Sequence, residues 1–390
     1  MKKFLLFLLL SLLIVFISTT IFLSTIGYET NKFNNFLEQK LSRNIPYLKI
    51  KLENIKVKLD LKKVTFFITT PNPDIKFYGS QIKFKKINAY INFKSLLINE
   101  PKIDSVYIVS KNIDIKQAKD FVKYIKPSNS KKFFLNNINK GNFNFNLQFT
   151  FKDNKIKNYE LDGFVKDFEA NFKSYVFKDG SFVYNIGKNS GEMQNIRGNL
   201  SNIIINSGFI KYDITNSLEI SGALDSEAKL NESQTERLLS KDMKKEIKVD
   251  NFMGKISSVF DIKFDKTLKL KDYNFKATGN LKNLLINFKK PKKIAFIDEV
   301  LEVLNFEKSN FTVDFSKKNN LSLDISGMPF SGQYLRLSFR GNFGEELGGN
   351  YGKMQLSAVQ FYGWESIDMS VGLHEETRNR DELVIIPVTL

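Results

Sequence analysis

The chain has 390 residues, 42% hydrophobic and 13% aromatic, with 37 phenylalanines, one tryptophan and no cysteine. That is enough apolar material for two or three domains with a sizeable core, and it excludes a disordered chain, disulfides, thiolate metal sites and cysteine nucleophiles. The net charge of +17 has two sources to choose between: a surface that attracts anionic lipid head groups or nucleic acid, or the Lys, Asn, Ile and Phe richness that AT-rich genes produce.

Residues 4–23 read FLLFLLLSLLIVFISTTIFL, an uncharged run interrupted only by Ser and Thr. Twenty helical residues at ~1.5 Å each span the ~30 Å hydrocarbon layer of a bilayer. The first alanine of the chain is Ala89, so the small-residue site of a cleaved signal is missing and an uncleaved anchor is expected. Lys2 and Lys3 put the N-terminus in the cytoplasm. Residues 1–28 are thus expected to be a cytoplasmic tip and single-pass anchor in a bacterial inner membrane, with the bulk of the chain in the periplasm. Residues 29–45 carry Phe33, Phe36, Leu37, Leu41 and Ile45 at helical spacing, which predicts a short amphipathic helix beside the membrane or capping the sheet.

From residue 46 to residue 340 the pattern is β. Residues 48–61, LKIKLENIKVKLDL, alternate apolar and polar: Leu48, Ile50 and Leu52, a one-residue slip at Glu53-Asn54, then Ile55, Val57, Leu59 and Leu61. Strands are predicted at 64–68, 75–78 and 82–93, separated by Pro71-Asn72-Pro73 and Gly79-Ser80. Asp114 caps a predicted helix reaching Ile125, with Pro127 as its stop. Residues 142–151, NFNFNLQFTF, alternate without error, so Phe143, Phe145, Leu147, Phe149 and Phe151 share one face. Further strands are predicted at 164–172, 175–186, 203–212, 218–224, 260–270, 311–315 and 321–325. A polar helix is predicted at 232–246 and an apolar one at 295–304.

A weak repeat links GNLSNIIIN at 198–206 with GNLKNLLIN at 279–287, 81 residues later, and a looser copy starts at Gly163. The glycine suits a turn or bulge opening each unit. Ile203, Ile205, Leu284 and Ile286 are the candidate apolar-face residues there, although the run of three apolar residues at 203–205 leaves its facing open. Residues 341–390 differ in composition. They carry a charge of −5 against +22 before them, and hold the only Trp (Trp364), the only His (His374) and one Lys (Lys353). They form a compositionally distinct tail.

Catalytic chemistry is thin. A serine triad needs a histidine base, and His374 is the only one. Zinc ligands are missing, no phosphate-binding loop fits the glycines near Lys353, and the acids at Asp162, Asp167 and Glu169 or at Asp298, Glu299 and Glu302 have no recognisable catalytic spacing. Neither enzymatic activity, a metal nor a cofactor is expected, and nucleic acid is not an expected partner, because every strand carries the pattern that a few stacking platforms would show.

A long one-sided sheet with few covering helices can stack, close, or curl into a trough. A trough would shelter acyl chains, whose exposure to water costs ~0.8 kcal/mol per CH₂. The segments MKKFLLFLLLSLLIVF, LKIKLENIKVKLDL, PDIKFYGSQIKFKKINAYINFKSLLINEPKIDSVYIV (73–109) and the GNLSNIIIN units resemble the AsmA-like superfamily, its YhdP-type members in particular. The resemblance covers roughly residues 1–340. It implies an inner-membrane-anchored, repeating β-groove related to chorein-type bridge proteins, which carries phospholipids toward the outer membrane. YhdP-type proteins are much longer, and the tail does not match. The expected fold is therefore mainly β: a transmembrane helix, then an elongated, curled antiparallel sheet with few short helices. Its expected partners are phospholipids, the inner membrane and other envelope proteins at the C-terminal end. The lipid groove would be lined by the fifteen alternating residues named above together with Ile203. The alternative is a non-enzymatic assembly or scaffold factor for outer-membrane biogenesis, with a closed β core.

Overall fold

In the computed structural model the chain is mainly β, 69% strand, behind one N-terminal apolar helix. The structure describes residues 2–31, 34, 38, 48–91, 95, 102–152, 155–172, 175–238, 243–265, 267, 269–294, 297–317, 320–330, 333–341, 354–362 and 384–387. Trp364 and His374 lie outside these residues, as do Phe33, Phe36, Leu37, Leu41 and Ile45 of the expected amphipathic helix. The chain divides into two compact units, Met1–Gly191 and Glu192–Leu390.

The first unit begins with α1 (Lys2–Thr25), whose segment Phe7–Thr25 is long and apolar enough to cross a membrane. Several of its polar side chains are satisfied inside the helix. The hydroxyls of Ser11, Thr19 and Thr25 donate to the carbonyls of Leu8, Val15 and Ile21 at 2.7–2.8 Å, which is what an apolar surrounding demands of them. The helix stops at Gly27, which has φ +81° and whose N–H donates to the Phe22 carbonyl at 2.8 Å. A β-carbon at Gly27 would lie 2.6 Å from the Lys58 side chain and 2.9 Å from the Val57 carbonyl oxygen, so helix and sheet meet there at a distance only glycine allows.

The sheet starts at once with β1 (Tyr28–Thr30), followed by β2 (Leu48–Lys51), β3 (Ile55–Asp60), β4 (Thr65–Pro71), β5 (Asp74–Phe77), β6 (Ser80–Ile91), β7 (Ile103–Ser110), β8 (Ile113–Asp114), β9 (Ile138–Lys152), β10 (Lys155–Phe172) and β11 (Tyr175–Gly187). The main ladder runs β1-β3-β4-β6-β7-β9-β10-β11, antiparallel throughout, with β8 beside β9. β2 and β5 form a smaller sheet with the first residues of β6. Two helices, α2 (Ile115–Val122) and α3 (Asn129–Asn137), interrupt the strands. The Asp114 carboxylate accepts from the Lys116 N–H at 2.7 Å and caps α2 as the sequence predicts. α3, capped by Ser128, is an addition; the Lys119 ammonium joins the two helices by donating to the Leu135 carbonyl at 2.8 Å.

β12 (Ser190–Leu200) crosses the boundary. The second unit holds β13 (Ile203–Asp213), β14 (Glu219–Leu230), α4 (Glu232–Leu238), α5 (Met243–Glu246), β15 (Ile247–Asp250), β16 (Phe252–Phe264), β17 (Leu270–Ile294), β18 (Ile297–Ser316), β19 (Asn320–Phe330), β20 (Gln333–Gly341), β21 (Met354–Tyr362) and β22 (Val384–Pro387). The ladder runs β13-β14-β16-β17-β18-β19-β20-β21-β22, antiparallel throughout, with β15 alongside β17. β21 and β22 continue this ladder out of the compositionally distinct tail.

Five sequence expectations change. The strand expected at 260–270 is the end of β16 and the start of β17, separated by a turn in which the Asp265 carboxylate accepts from the Thr267 and Lys269 N–H groups at 2.8 and 3.0 Å. Residues 48–61 are not one strand: β2 belongs to the smaller sheet and β3 to the main one. The break falls at the slip, where the Asn34 amide donates to the Leu52 and Glu53 carbonyls at 3.1 and 2.8 Å and Glu38 accepts from the Leu52 N–H at 2.7 Å. Those long-range bonds take this backbone out of the ladder. Residues 29 and 30 end β1 instead of opening a helix. Residues 297–304 are not helical either: they open β18, with Leu304 opposite Ile286, while residues 295 and 296 of the expected helix lie outside the described residues. Ile297, Val300, Leu301 and Leu304 are spaced for either structure, and the β-branched residues with a ready partner strand favour the sheet. Finally, the strands are longer than expected, 15 residues in β9, 18 in β10 and 25 in β17.

Candidate functional site

In an antiparallel ladder, residues directly opposite share a face. In the first unit this places Val57, Ile68, Ala89, Val106, Phe149 and Tyr159 in one unbroken row over six strands. At ~4.8 Å per strand the row is about 24 Å long. A second row reads Thr70, Ile87, Ile108, Leu147, Leu161, Ile186. A third reads Leu59, Phe66, Ile91, Ile103, with Phe151 opposite Ile156 further along. These rows make a continuous apolar face, and nearly all of its side chains are half-buried, with Ile103 and Ile156 still more open. A core residue of a closed sandwich would be sealed; these keep part of their apolar surface toward solvent.

The other end of the same face is closed. Phe84, Ile113, Val165 and Tyr184 are buried there, and α2, with Ile115 and Ala118 inward, packs against β6 and β9 while α3 packs against β9 and β10. Phe84 meets Phe145 edge to face at 6.2 Å. The few helices therefore do cover part of the sheet, at one end of the strands only.

The second unit repeats the arrangement. Ile205, Ser226, Ile256, Gly279, Phe311, Ile325 and Leu337 form one row, which continues in register to Val359 and Ile386. Its sealed part is a packed cluster containing Leu281, Leu284, Ile286, Leu304, Phe306, Leu335 and Leu337, closed by Ile247 and Val249 of β15, against which α4 and α5 pack. Its open part holds Ile210, Phe260, Phe275 and Phe315, all half-buried, with Gly222 between Ile210 and Phe260.

The candidate residues thus separate. Val57, Leu59, Phe143, Phe145, Leu147, Phe149 and Phe151 share the half-open face of the first unit, and Ile55 is its buried member on β3. Ile203 is half-buried and Ile205 buried on β13. Leu284 and Ile286 are fully sealed inside the second unit's cluster, so they hold the sheet together and line no open surface. Leu48 and Ile50 pair with Phe77 and Ile75 in the smaller sheet, Leu52 lies between strands, and Leu61 lies in a turn, 55% exposed. Phe66, Ile68, Ala89, Val106, Ile108, Leu161 and Ile186 were missed as lining residues; counting alternation through their own strands would have found them.

The opposite face is polar and cross-linked. Thr69 donates to Asn88 at 2.7 Å, Asn146 to Asp162 at 2.7 Å, and Lys56 pairs with Glu29 at 2.9 Å. The Lys63 ammonium sits 4.3 Å from the centre of the Tyr90 ring. Burial pushes the Tyr90 and Tyr107 phenols above their usual range, with smaller contributions from Asp60 and Asp162 respectively. Among the described residues no group of three or more His, Asp or Glu side chains is disposed to hold a metal ion. Comparison with protein-family models, with curated proteins and with solved structures found no match.

Proposed function

We propose that the chain is a membrane-anchored β-groove protein that carries phospholipids between the inner and outer membranes of a bacterial envelope. In this reading α1 is held in the inner membrane, the sheets lie in the periplasm, and acyl chains run along the apolar rows with head groups in water, as the resemblance to AsmA-like proteins implies. The observation that carries it is the row Val57-Ile68-Ala89-Val106-Phe149-Tyr159, apolar at every strand and half-open, on a sheet whose first strand leaves the membrane helix two residues after its end. Each CH₂ sheltered there avoids ~0.8 kcal/mol of exposure, so several contacts suffice to hold a chain without any specific polar pocket.

A photo-crosslinking residue at Phe149, in the full chain produced in a bacterial membrane, is expected to capture phospholipid, while the same residue at Gln148 on the polar face captures none. Capture of protein alone at Phe149 overturns the reading. It would favour the second reading, a scaffold or assembly factor, which the fully sealed cluster around Leu284, Ile286 and Phe306 supports.

A further inference from the structure

The turn between β3 and β4 points back at the membrane helix. β1 leaves α1 through Ile26 and Gly27, and β3 is antiparallel to β1 with Tyr28 opposite Val57. β3 therefore runs toward the helix end, and the Lys58 ammonium donates to the Thr25 carbonyl at 2.6 Å. Residues 61–64 lie beyond that contact, beside the end of α1. At their tip Leu61 is 55% and Val64 75% exposed, on either side of Lys62 and Lys63.

Nothing in the turn itself asks for these side chains. The Asp60 carboxylate pins the backbone by accepting from the Lys62 and Lys63 N–H groups at 3.0 and 3.1 Å. Val64 has φ +49°, a left-handed conformation that strains a β-branched residue and that Gly or Asn adopts readily. A strained valine held almost wholly in solvent gains nothing from the fold. Exposed apolar tips flanking lysines, next to a membrane helix whose exit carries Ile26 and Tyr28 exposed, have the composition of an interfacial anchor: hydrocarbon among the upper acyl groups, ammonium groups at the phosphates, tyrosine at head-group level.

We propose that residues 61–64 are a second membrane contact, in which Leu61 and Val64 insert into the phospholipid leaflet from which α1 emerges and Lys62 meets lipid phosphate. This contact sets the open row Leu59-Phe66-Ile91-Ile103 against the bilayer surface, where an acyl chain could pass onto the sheet. The insertion rests on α1 spanning the bilayer, and only its consequence rests on the lipid-carrying reading.

The absence of cysteine makes the test direct. Single cysteines replacing Phe16, Val64 and Asn112 are labelled with an environment-sensitive fluorophore in the full chain, reconstituted into vesicles of phosphatidylethanolamine and phosphatidylglycerol. Asn112 is exposed at the far end of β7 from the turn. The labels at 16 and 64 are expected to shift to the blue and to be quenched by lipid-borne nitroxide, and the label at 112 to remain aqueous. A Leu61→Cys label must agree with the one at 64. An aqueous signal at 61 and 64 with a buried signal at 16 overturns the second contact, and an aqueous signal at 16 overturns the anchor with it. Loss of lipid capture at Phe149 with a buried signal at 64 sinks the carrier reading and leaves this contact standing.

Discussion

Tyr184 occupies the space that Gly163 leaves empty. The two are directly opposite in the β10–β11 ladder, and the Tyr184 hydroxyl donates to the Asn144 carbonyl on β9 at 2.9 Å, one strand further on. A β-carbon at position 163 would lie 2.1 Å from that same carbonyl oxygen and 2.8 Å from the hydroxyl. The first obstacle is backbone, which cannot swing aside. Gly163→Ala is expected to destabilise the unit by about 1–3 kcal/mol, the usual cost of overpacking a fitted site, read as a lower denaturation midpoint. Gly279 opposite Phe311 and Gly222 opposite Phe260 repeat the device, so these glycines exist for a neighbour's ring.

The same tyrosine predicts a pH dependence. Burial, and secondarily the charge of Asp162, push the Tyr184 phenol up to about 12 from an ordinary value of 10. The group is neutral in both states below pH 10, so its contribution is complete there. Between pH 10 and 12 the unfolded chain ionises while the folded chain does not. Stability falls by roughly 2–3 kcal/mol over that window, since a tenfold change in an ionisation constant is worth about 1.4 kcal/mol. Tyr90 and Tyr107 act in the same direction. Denaturation midpoints followed from pH 9 to 12 should decline, and Tyr184→Phe should flatten the decline without abolishing it.

Thr70 is the one polar side chain in its row, opposite Ile87, and its buried hydroxyl has no hydrogen-bond partner. An unsatisfied buried hydroxyl costs free energy that an isosteric methyl does not. Thr70→Val should therefore raise stability by about 1 kcal/mol, visible as a higher denaturation midpoint with an unchanged slope.

The apolar face makes a directional prediction about lipid. Val106 is in the middle of the six-strand row and Gln148 faces the other way. Val106→Asp should cut the phospholipid recovered with the detergent-purified protein by about tenfold or more, because setting a carboxylate against hydrocarbon costs well over the ~1.4 kcal/mol that a factor of ten represents. Gln148→Asp should leave recovery unchanged. Equal recovery from both variants, each still unfolding cooperatively, would separate the face from any lipid cargo.

What the sequence disclosed was period, and what it concealed was phase. Period-two alternation is a local property of the pleat, so β9 with Phe143 to Phe151 on one face could be read directly, as could α1 and the Asp114 cap. Phase depends on irregular residues. The split between β2 and β3 hangs on Asn34 and Glu38 bonding backbone 14 to 19 residues away, which no local pattern carries. Leu284 and Ile286 alternate as Phe143 and Phe145 do, yet they are sealed and the phenylalanines are not, because Ile247 and Val249 of β15, which lies 35 to 41 residues upstream of its ladder partners on β17, join the cluster around them and α4 and α5 pack there.

The repeat shows how phase is reset and supplies the last prediction. Four residues after its glycine each copy carries a residue in the left-handed region: Asn202 at φ +76° after Gly198, Asn283 at +52° after Gly279, and Asp167 at +52° after Gly163. Gly191 and Asn195, at +53°, follow the same spacing. Asn and Asp tolerate this conformation because their short polar side chains bond locally. Its effect is visible around Asn283: Leu281 and Leu284 are both sealed though three apart, and Lys282 and Asn283 between them are both exposed. Alternation counted through such a residue comes out on the wrong face, so the facing of the apolar run at 203–205 cannot be recovered by counting from the residues before Asn202. Since the Asn283 side chain is exposed, its worth lies in the backbone. Asn283→Gly should be tolerated within about 0.5 kcal/mol, whereas Asn283→Val should cost about 1–2 kcal/mol, the penalty for a β-carbon in the left-handed region. Denaturation midpoints of the two variants would distinguish this from a side-chain role, in which glycine would be the more damaging substitution.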